Sequence, residues 1–267
     1  MTPTLEDILE LVESVAPAHL SEPWDNPGLQ VGDRSKRVQK ILLALDPTLR
    51  AIQAAVRLQA QLLFTHHPLI FKPVSQLDPA DYPGNVVFLA IRSDVAVVCA
   101  HTNLDSAAGG INDCLASILG LTDVTVLQEA PGNPGAGLGR LGSLERPITL
   151  GGMAETIKER LQTPSLRVIG PMEKRIERVA VVGGSGSDLA ELAFRKGADL
   201  LVTGDVSHHK ALDAAALGLA MIDAGHYATE RAALHAFKDS LEAVFERRRW
   251  NTVIIWDSEE ENPSRPV

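Results

Sequence analysis

Two adjacent imidazoles, His66 and His67, emerge from an apolar run in LLFTHHP at 62–68. Buried imidazoles left without partners are costly, so each needs an acceptor or a metal. Pro68 restricts His67 to extended backbone geometry. Side chains of neighbouring residues in an extended segment point opposite ways, which suits two different ions better than one. Taken alone, the motif is equally that of two histidines bonded to backbone. A second signal is AHTNLDSAAGGIND at 100–113, where a strand ends at His101 and Asp105 lies in the loop before a helix. Asp105 alone reads as readily as a turn cap. Gly109 and Gly110 let the amides of the following helix approach an anion closely. The third signal is DAGHYATE at 223–230. A helix starting near His226 places His226 and Glu230 one turn apart on one face. Such a pair chelates a first-row divalent metal. Alone, it is also a glutamate placed in a first turn by the helix dipole.

Together these motifs supply three imidazoles, His66, His67 and His226, and two carboxylates, Asp105 and Glu230, at three expected strand ends. Two metals ~3.5–4 Å apart need about that many ligands when a carboxylate and a solvent oxygen bridge them. Nitrogen and oxygen ligands without thiolate suit Zn, Fe, Mn, Co or Ni. Three further stretches carry weaker signals. GGSGSD, from Gly183 to Asp188, follows a strand and opens a helix; it is either a phosphate cradle or a tight turn. It lacks the lysine of a P-loop and the glycine spacing of a dinucleotide fingerprint, which argues against a Rossmann-type enzyme. TGDVSHH at 203–209 holds His208 and His209, as ligand or substrate contacts or as surface and helix-cap residues. WDNPGLQVGD at 24–33 is turn-rich, and its Trp24, Asn26 and Gln30 are candidates to wall a pocket.

The elements that must position these residues alternate along the chain. Helices are expected at 4–16, 48–60, 84–92, 109–119, 187–197, 207–217 and 227–247. Strands are expected at 38–45, 61–65, 95–100, 178–182, 199–203, 219–223 and 251–256. The first helix has Thr4 as cap with Asp7 three residues on, and Leu5, Ile8, Leu9 and Val12 share a face. Strands separated by helices imply right-handed crossovers and largely parallel sheets, an α/β fold. Residues 40–65 align without gaps on 178–203, and 95–105 on 220–230, which places His101 on His226 and Asp105 on Glu230. Two alignments in the same order imply two related α/β halves around a shared crevice, where open α/β sheets bind ligands. The Gly- and Pro-rich 131–139 stretch suggests the break, giving halves at 1–130 and 131–267. The acidic, proline-containing 258–267 reads as a disordered tail.

At 267 residues, 45% hydrophobic and 22% charged, the chain has ordinary globular composition and enough length for a sizeable core. No apolar run is long enough to span a bilayer, and the start, MTPTLEDILE, shows no signal peptide, so a cytoplasmic protein is expected. Cys99 and Cys114, the two cysteines, read as buried thiols. A net charge of −9 argues against nucleic acid as partner, and the basic run 247–249 reads as a solvated helix end.

The set WDNPGLQVG, LLFTHHPLIF, AHTNLDSAAGGIND, VVGGSGSD, TGDVSHH and GHYATE, in that order, resembles the NIF-three-like family over nearly the whole chain. Its bacterial members are often labelled GTP cyclohydrolase 1 type 2 homologues. The resemblance implies two similar α/β halves, a ring-shaped homohexamer and two divalent metal ions per subunit. It maps the metal ligands onto His66, His67, Asp105, His226 and Glu230, with Glu230 as a bridge. His101 is then a residue behind the ligands, orienting Asp105 or shuttling protons. The short connection near 130–139 matches the minimal form of the family, without an inserted domain. Two functions follow as expectations. One is a metal-dependent hydrolase on a nucleotide-like substrate, opening the ring of GTP with release of formate. The other is a non-catalytic metal-binding scaffold, metal-handling factor or regulator.

Overall fold

The computed structural model describes residues 1–265. It contains helices α1 (Leu5–Val15), α2 (Leu49–Arg57), α3 (Gly84–Arg92), α4 (Thr102–Ser106), α5 (Ile111–Ile118), α6 (Leu150–Leu161), α7 (Ala190–Arg195), α8 (His208–Leu217) and α9 (His226–Arg247). Its strands are β1 (Gly28–Val31), β2 (Lys40–Ala44), β3 (Leu62–Thr65), β4 (Ala96–Cys99), β5 (Leu121–Ala130), β6 (Asn133–Thr149), β7 (Arg167–Ile169), β8 (Arg175–Ser185), β9 (Leu200–Gly204), β10 (Ala220–Asp223) and β11 (Val253–Trp256).

Local chemistry explains many of the boundaries. The Thr4 hydroxyl accepts from the amide of Asp7, and the Asp7 carboxylate accepts from that of Thr4, a complete capping box for α1. The hydroxyls of Thr48, Thr149 and Ser207 cap α2, α6 and α8 by accepting from the amides of Ala51, Gly152 and Lys210. No helix among the described residues is long and apolar enough to cross a membrane.

The chain forms two compact units. One is Met1–Leu104 with His235–Glu261; the other is Asp105–Leu234 with a short C-terminal piece. These boundaries lie inside α4 and α9, whereas composition had suggested a break at 131–139. That stretch is instead a turn and the start of β6, paired with β5 in a hairpin. Its glycines serve close approach: a Cβ on Gly137 would stand 2.0 Å from the carbonyl oxygen of Gln128.

The first unit holds a five-stranded sheet in the order β1-β4-β3-β2-β11. Strands β4, β3, β2 and β11 run parallel, and β1 runs antiparallel to β4. Every residue of β3 and β4 is buried, as expected of parallel strands covered on both faces. Leu42, Ile52, Leu63, Val86 and Val97 belong to one apolar cluster against this sheet. The second unit holds a six-stranded sheet in the order β5-β6-β8-β9-β10-β7. Only its centre, β8-β9-β10, is parallel; β5, β6 and β7 are antiparallel additions. Leu127, Ala180, Leu201 and Met221 form its core cluster.

The two units repeat one plan. In the first, a helix, a strand and three parallel strands run as α1, β1, β2-α2-β3-α3-β4; in the second, as α6, β7, β8-α7-β9-α8-β10. In each, the small leading strand pairs antiparallel with the third parallel strand. The repeat visible in the sequence between 40–65 and 178–203 is thus the β2-α2-β3 and β8-α7-β9 portion of this plan.

Pro266 and Val267, at the end of the expected disordered tail, lie outside the described residues. Upstream of them, the Glu260 carboxylate accepts from the amides of Leu45 and Asp46 at the end of β2. Cys99 is buried, its Sγ donating to the carbonyl of His66 at 3.1 Å, and Cys114 is half-buried.

Candidate metal centre

In the first unit the register Ala44↔Thr65↔Cys99 ends β2, β3 and β4 level with one another. The residues that follow each strand therefore meet at one edge: Asp46 after β2, His66 and His67 after β3, His101 after β4. The ring centroids of His66, His67 and His101 lie 5.1 to 5.4 Å apart. One ligand atom from each lies within 4.8 Å of the other two, so the trio is able to hold a metal ion. The expectation that His66 and His67 point to opposite faces fails locally. The chain bends after Thr65, so 66 and 67 are no longer a pleated strand and their rings converge. The Thr65 hydroxyl donates to the carbonyl of His67 at 2.7 Å, holding the bend.

Each of these rings is gripped through Nδ1. His66 Nδ1 donates to the carbonyl of Ala100 at 2.9 Å, an oxygen that only accepts. His67 Nδ1 meets Asp46 at 2.8 Å, and His101 Nδ1 meets Asp25 at 2.8 Å. Such contacts put the proton on Nδ1 and the lone pair on Nε2, and they aim the ring, which is how metal-ligating histidines are prepared. Asp25 is completely buried at its side chain and also accepts from the amide and hydroxyl of Thr102. Burial pushes its carboxyl up, but the bonds from His101 and Thr102 prevail and hold it at about 2. It is therefore an anion throughout the neutral range.

The second unit repeats the device. Asp205 follows β9, and His226 opens α9 just beyond β10, whose Asp223 pairs with Thr203. His226 Nδ1 meets Asp205 at 2.7 Å, and its Nε2 lies 3.0 Å from the carboxylate of Glu230, one turn on. Glu230 is buried. Gly184, at φ +61°, makes room for it: a Cβ there would stand 2.1 Å from Oε1 of Glu230. A Cβ on Gly204 would stand 2.4 Å from the amide nitrogen of His226. Gly183 and Gly184, at the start of the 183–188 stretch, thus pack against the His226–Glu230 pair. Asp105 lies buried in α4. Its carbonyl accepts from Asn112 Nδ2 at 3.0 Å, and Asn112 Oδ1 accepts from the amide of Gly183 at 2.9 Å. One asparagine so links the segment carrying Asp105 to the glycines beside Glu230. His208 and His209 meet edge to face, exposed, in the first turn of α8.

Of the expected ligands, His66 and His67 stand together in the first unit with His101, and Asp105, His226 and Glu230 belong to the second. The donor set fits a divalent metal: imidazoles anchored through Nδ1, buried carboxylates and no thiolate. Sequence reading missed Asp25, Asp46 and Asp205, the carboxylates behind the rings. Their signal was present, since Asp46 and Asp205 directly follow the apolar runs of β2 and β9. An isolated aspartate after a strand, however, looks like any turn residue.

Residues 3–263 match the sequence profile of Duf34/NIF3 (NGG1p interacting factor 3). A Clostridium perfringens protein named GTP cyclohydrolase 1 type 2 homolog is 39% identical over 226 residues, covering 85% of this chain and 86% of that one. A Clostridium acetobutylicum protein of the same name is 37% identical over 258 residues, covering 96% of both. The crystal structure of a Bacillus cereus protein related to NIF3 superposes with a TM-score of 0.93 at 28% identity, over 100% of this chain and 99% of the other.

Proposed function

We propose, from the premise that this chain belongs to the Duf34/NIF3 family, that it is a dinuclear metal-dependent hydrolase acting on a nucleotide-like substrate. The ligands are His66, His67, Asp105, His226 and Glu230. The reading draws on the names of its relatives, GTP cyclohydrolase 1 type 2 homologs. The observation that carries it is the shared Nδ1 grip: all four of His66, His67, His101 and His226 have that nitrogen engaged by a carbonyl or carboxylate oxygen. Histidines that merely pack or cap have no need of one common anchored nitrogen. Two divalent ions supply an acidified water near neutral pH and a Lewis acid for the bond attacked. The protein's own groups do the rest. Asp46 and Asp205 orient His67 and His226. His101, backed by the Asp25 carboxylate, accepts and returns a proton as the base ring is opened and formate leaves. The homohexamer and the cytoplasm belong to the same proposal.

Metal analysis tests the ligand set. Protein purified without chelator should carry near two equivalents per chain, falling to one or fewer in His226→Ala, as two-metal chemistry requires. Metal-loaded wild type should release formate from GTP, and His66→Ala should abolish that release. Full metal content with no product from GTP or any purine nucleotide would make the chain a metal-handling or regulatory protein instead.

A further inference from the structure

Two large aromatic side chains stand in water beside the histidine trio. Trp24 is 55% exposed and Phe71 44% exposed. Their ring centroids lie 5.6 Å apart with the planes inclined by 50°. Both rings meet His101 edge-on, Trp24 at 6.0 Å and Phe71 at 6.4 Å. Neither ring belongs to the apolar cluster against the sheet of the first unit, and a pair of large aromatic rings this open to water is an informative feature of a folded surface.

The pair is also held in place. Trp24 lies in the loop before β1, and Phe71 in the loop after His67. Asn26 and Gln30 join those loops through one residue: Asn26 Nδ2 donates to the carbonyl of Ile70 at 2.6 Å, and the amide of Ile70 donates to Gln30 Oε1 at 3.0 Å. Gln30 Nε2 donates back to the carbonyl of Asn26 at 2.8 Å, closing the network. The next residue along from Asn26's partner is Phe71 itself. Asp25, one residue past Trp24, is anchored by His101 and Thr102. Both aromatics are therefore fixed by polar bonds made by their immediate chain neighbours, while the rings stay open to solvent. This arrangement preorganises a contact surface.

We infer that Trp24 and Phe71 form the stacking platform for a planar nitrogen heterocycle of the substrate, whose edge is thereby presented to His101. The inference rests on the hydrolase reading and names the part of the substrate that this surface recognises. A flat π-face suits two aromatic rings beside an imidazole edge, and stacking on aromatic side chains is tolerant of which base is bound. The network through Asn26 and Gln30 accounts for the WDNPGLQ stretch, which sequence periodicity leaves without a role.

Calorimetric titration of the metal-loaded, full-length protein with guanosine, adenosine and uridine tests this, with ribose as the probe lacking a base. Guanosine is expected to bind saturably and ribose not to bind. Phe71→Ala and Trp24→Ala should each weaken guanosine by about tenfold or more, while Phe71→Tyr and Trp24→Phe stay close to wild type. Both positions are exposed, so truncation leaves no cavity; thermal melts check that the variants fold. Saturable binding unchanged in the alanine variants overturns the inference, as does the absence of binding by all three nucleosides. Loss of assembly in light scattering of Trp24→Ala, without any nucleoside binding to wild type, would instead make this face a contact between copies. Metal content separates the two readings. Aromatic-dependent guanosine binding by protein that holds no metal sinks the dinuclear centre and keeps the platform; bound metal without nucleoside binding does the reverse.

Discussion

Each histidine of the candidate site is aimed by an oxygen behind its Nδ1. Asp25 shows this most directly. Its carboxyl sits at about 2, below the ordinary 3.8, because the bonds from His101 and Thr102 outweigh burial. A depressed carboxylate contributes stability that is present above the unfolded value and lost as pH falls through the folded one. Wild type should therefore lose this increment between about pH 4 and pH 2, and Asp25→Asn should show a flatter acid-unfolding curve by circular dichroism across that window. The same substitution breaks the grip on the His101 tautomer, and formate release from GTP should fall by about 10- to 100-fold. Equal activity in the variant would remove His101 from proton transfer. Gly184 gives a second prediction. Its alanine variant must hold φ +61° and displace the Glu230 carboxylate, 2.1 Å from the new Cβ. Gly184→Ala should lower stability by about 1–3 kcal/mol in urea unfolding and reduce bound metal. Intact metal content would show that Glu230 tolerates the move.

At the scale of elements, the level ends of parallel strands deliver the chemistry. β3 is the central support in the first unit, buried along its whole length and flanked by β2 and β4. Leu63→Ala removes a fully buried side chain from that strand and should cost about 2–5 kcal/mol in urea unfolding. A cost below 1 kcal/mol would mean that the surrounding side chains collapse into the space. The end of β2 carries a different device. Burial raises Glu260 to about 7, against partial relief from the amides of Asp46 and Leu45 that it accepts. A carboxyl raised on folding stabilises fully below its unfolded value, and that contribution is lost as pH rises through the folded value. Wild type should therefore lose stability between about pH 4.5 and 7 relative to Glu260→Gln, read as the difference in melting temperature at the two ends of the range.

For the whole molecule, metal and fold should be coupled. Ions bound by the native state alone stabilise it by about 2.7 kcal/mol at 100 times their dissociation constant. Dialysis against a chelator should lower the melting temperature, and adding back a single divalent metal should restore it in wild type but not in His226→Ala. An unchanged melt after complete metal removal would mean that the fold forms without regard to the ions. Two copies of one supersecondary plan, each with a histidine after its third parallel strand, organise the chain. The copies have diverged in what backs that histidine: Asp25 from a loop before β1 in one, Asp205 from the end of β9 in the other.

Much of this plan was legible in the residues themselves. Helix periodicity, caps and apolar runs are local, so α1, α3, α8 and the strands carrying His66, His101 and His226 could be read directly. The Gly- and Pro-rich 131–139 misled, because glycines that admit a neighbouring strand have the composition of a linker. The antiparallel additions β5, β6 and β7 also escaped, since their pairing partners determine them more than their own pattern does. The sequence alone determined which residue types reach the strand ends. Only the tertiary structure decided that Asp46 lies behind His67 across 21 positions, and Asp25 behind His101 across 76. Those pairings come from strand register and crossover handedness, which act between segments and leave no trace in the periodicity of either.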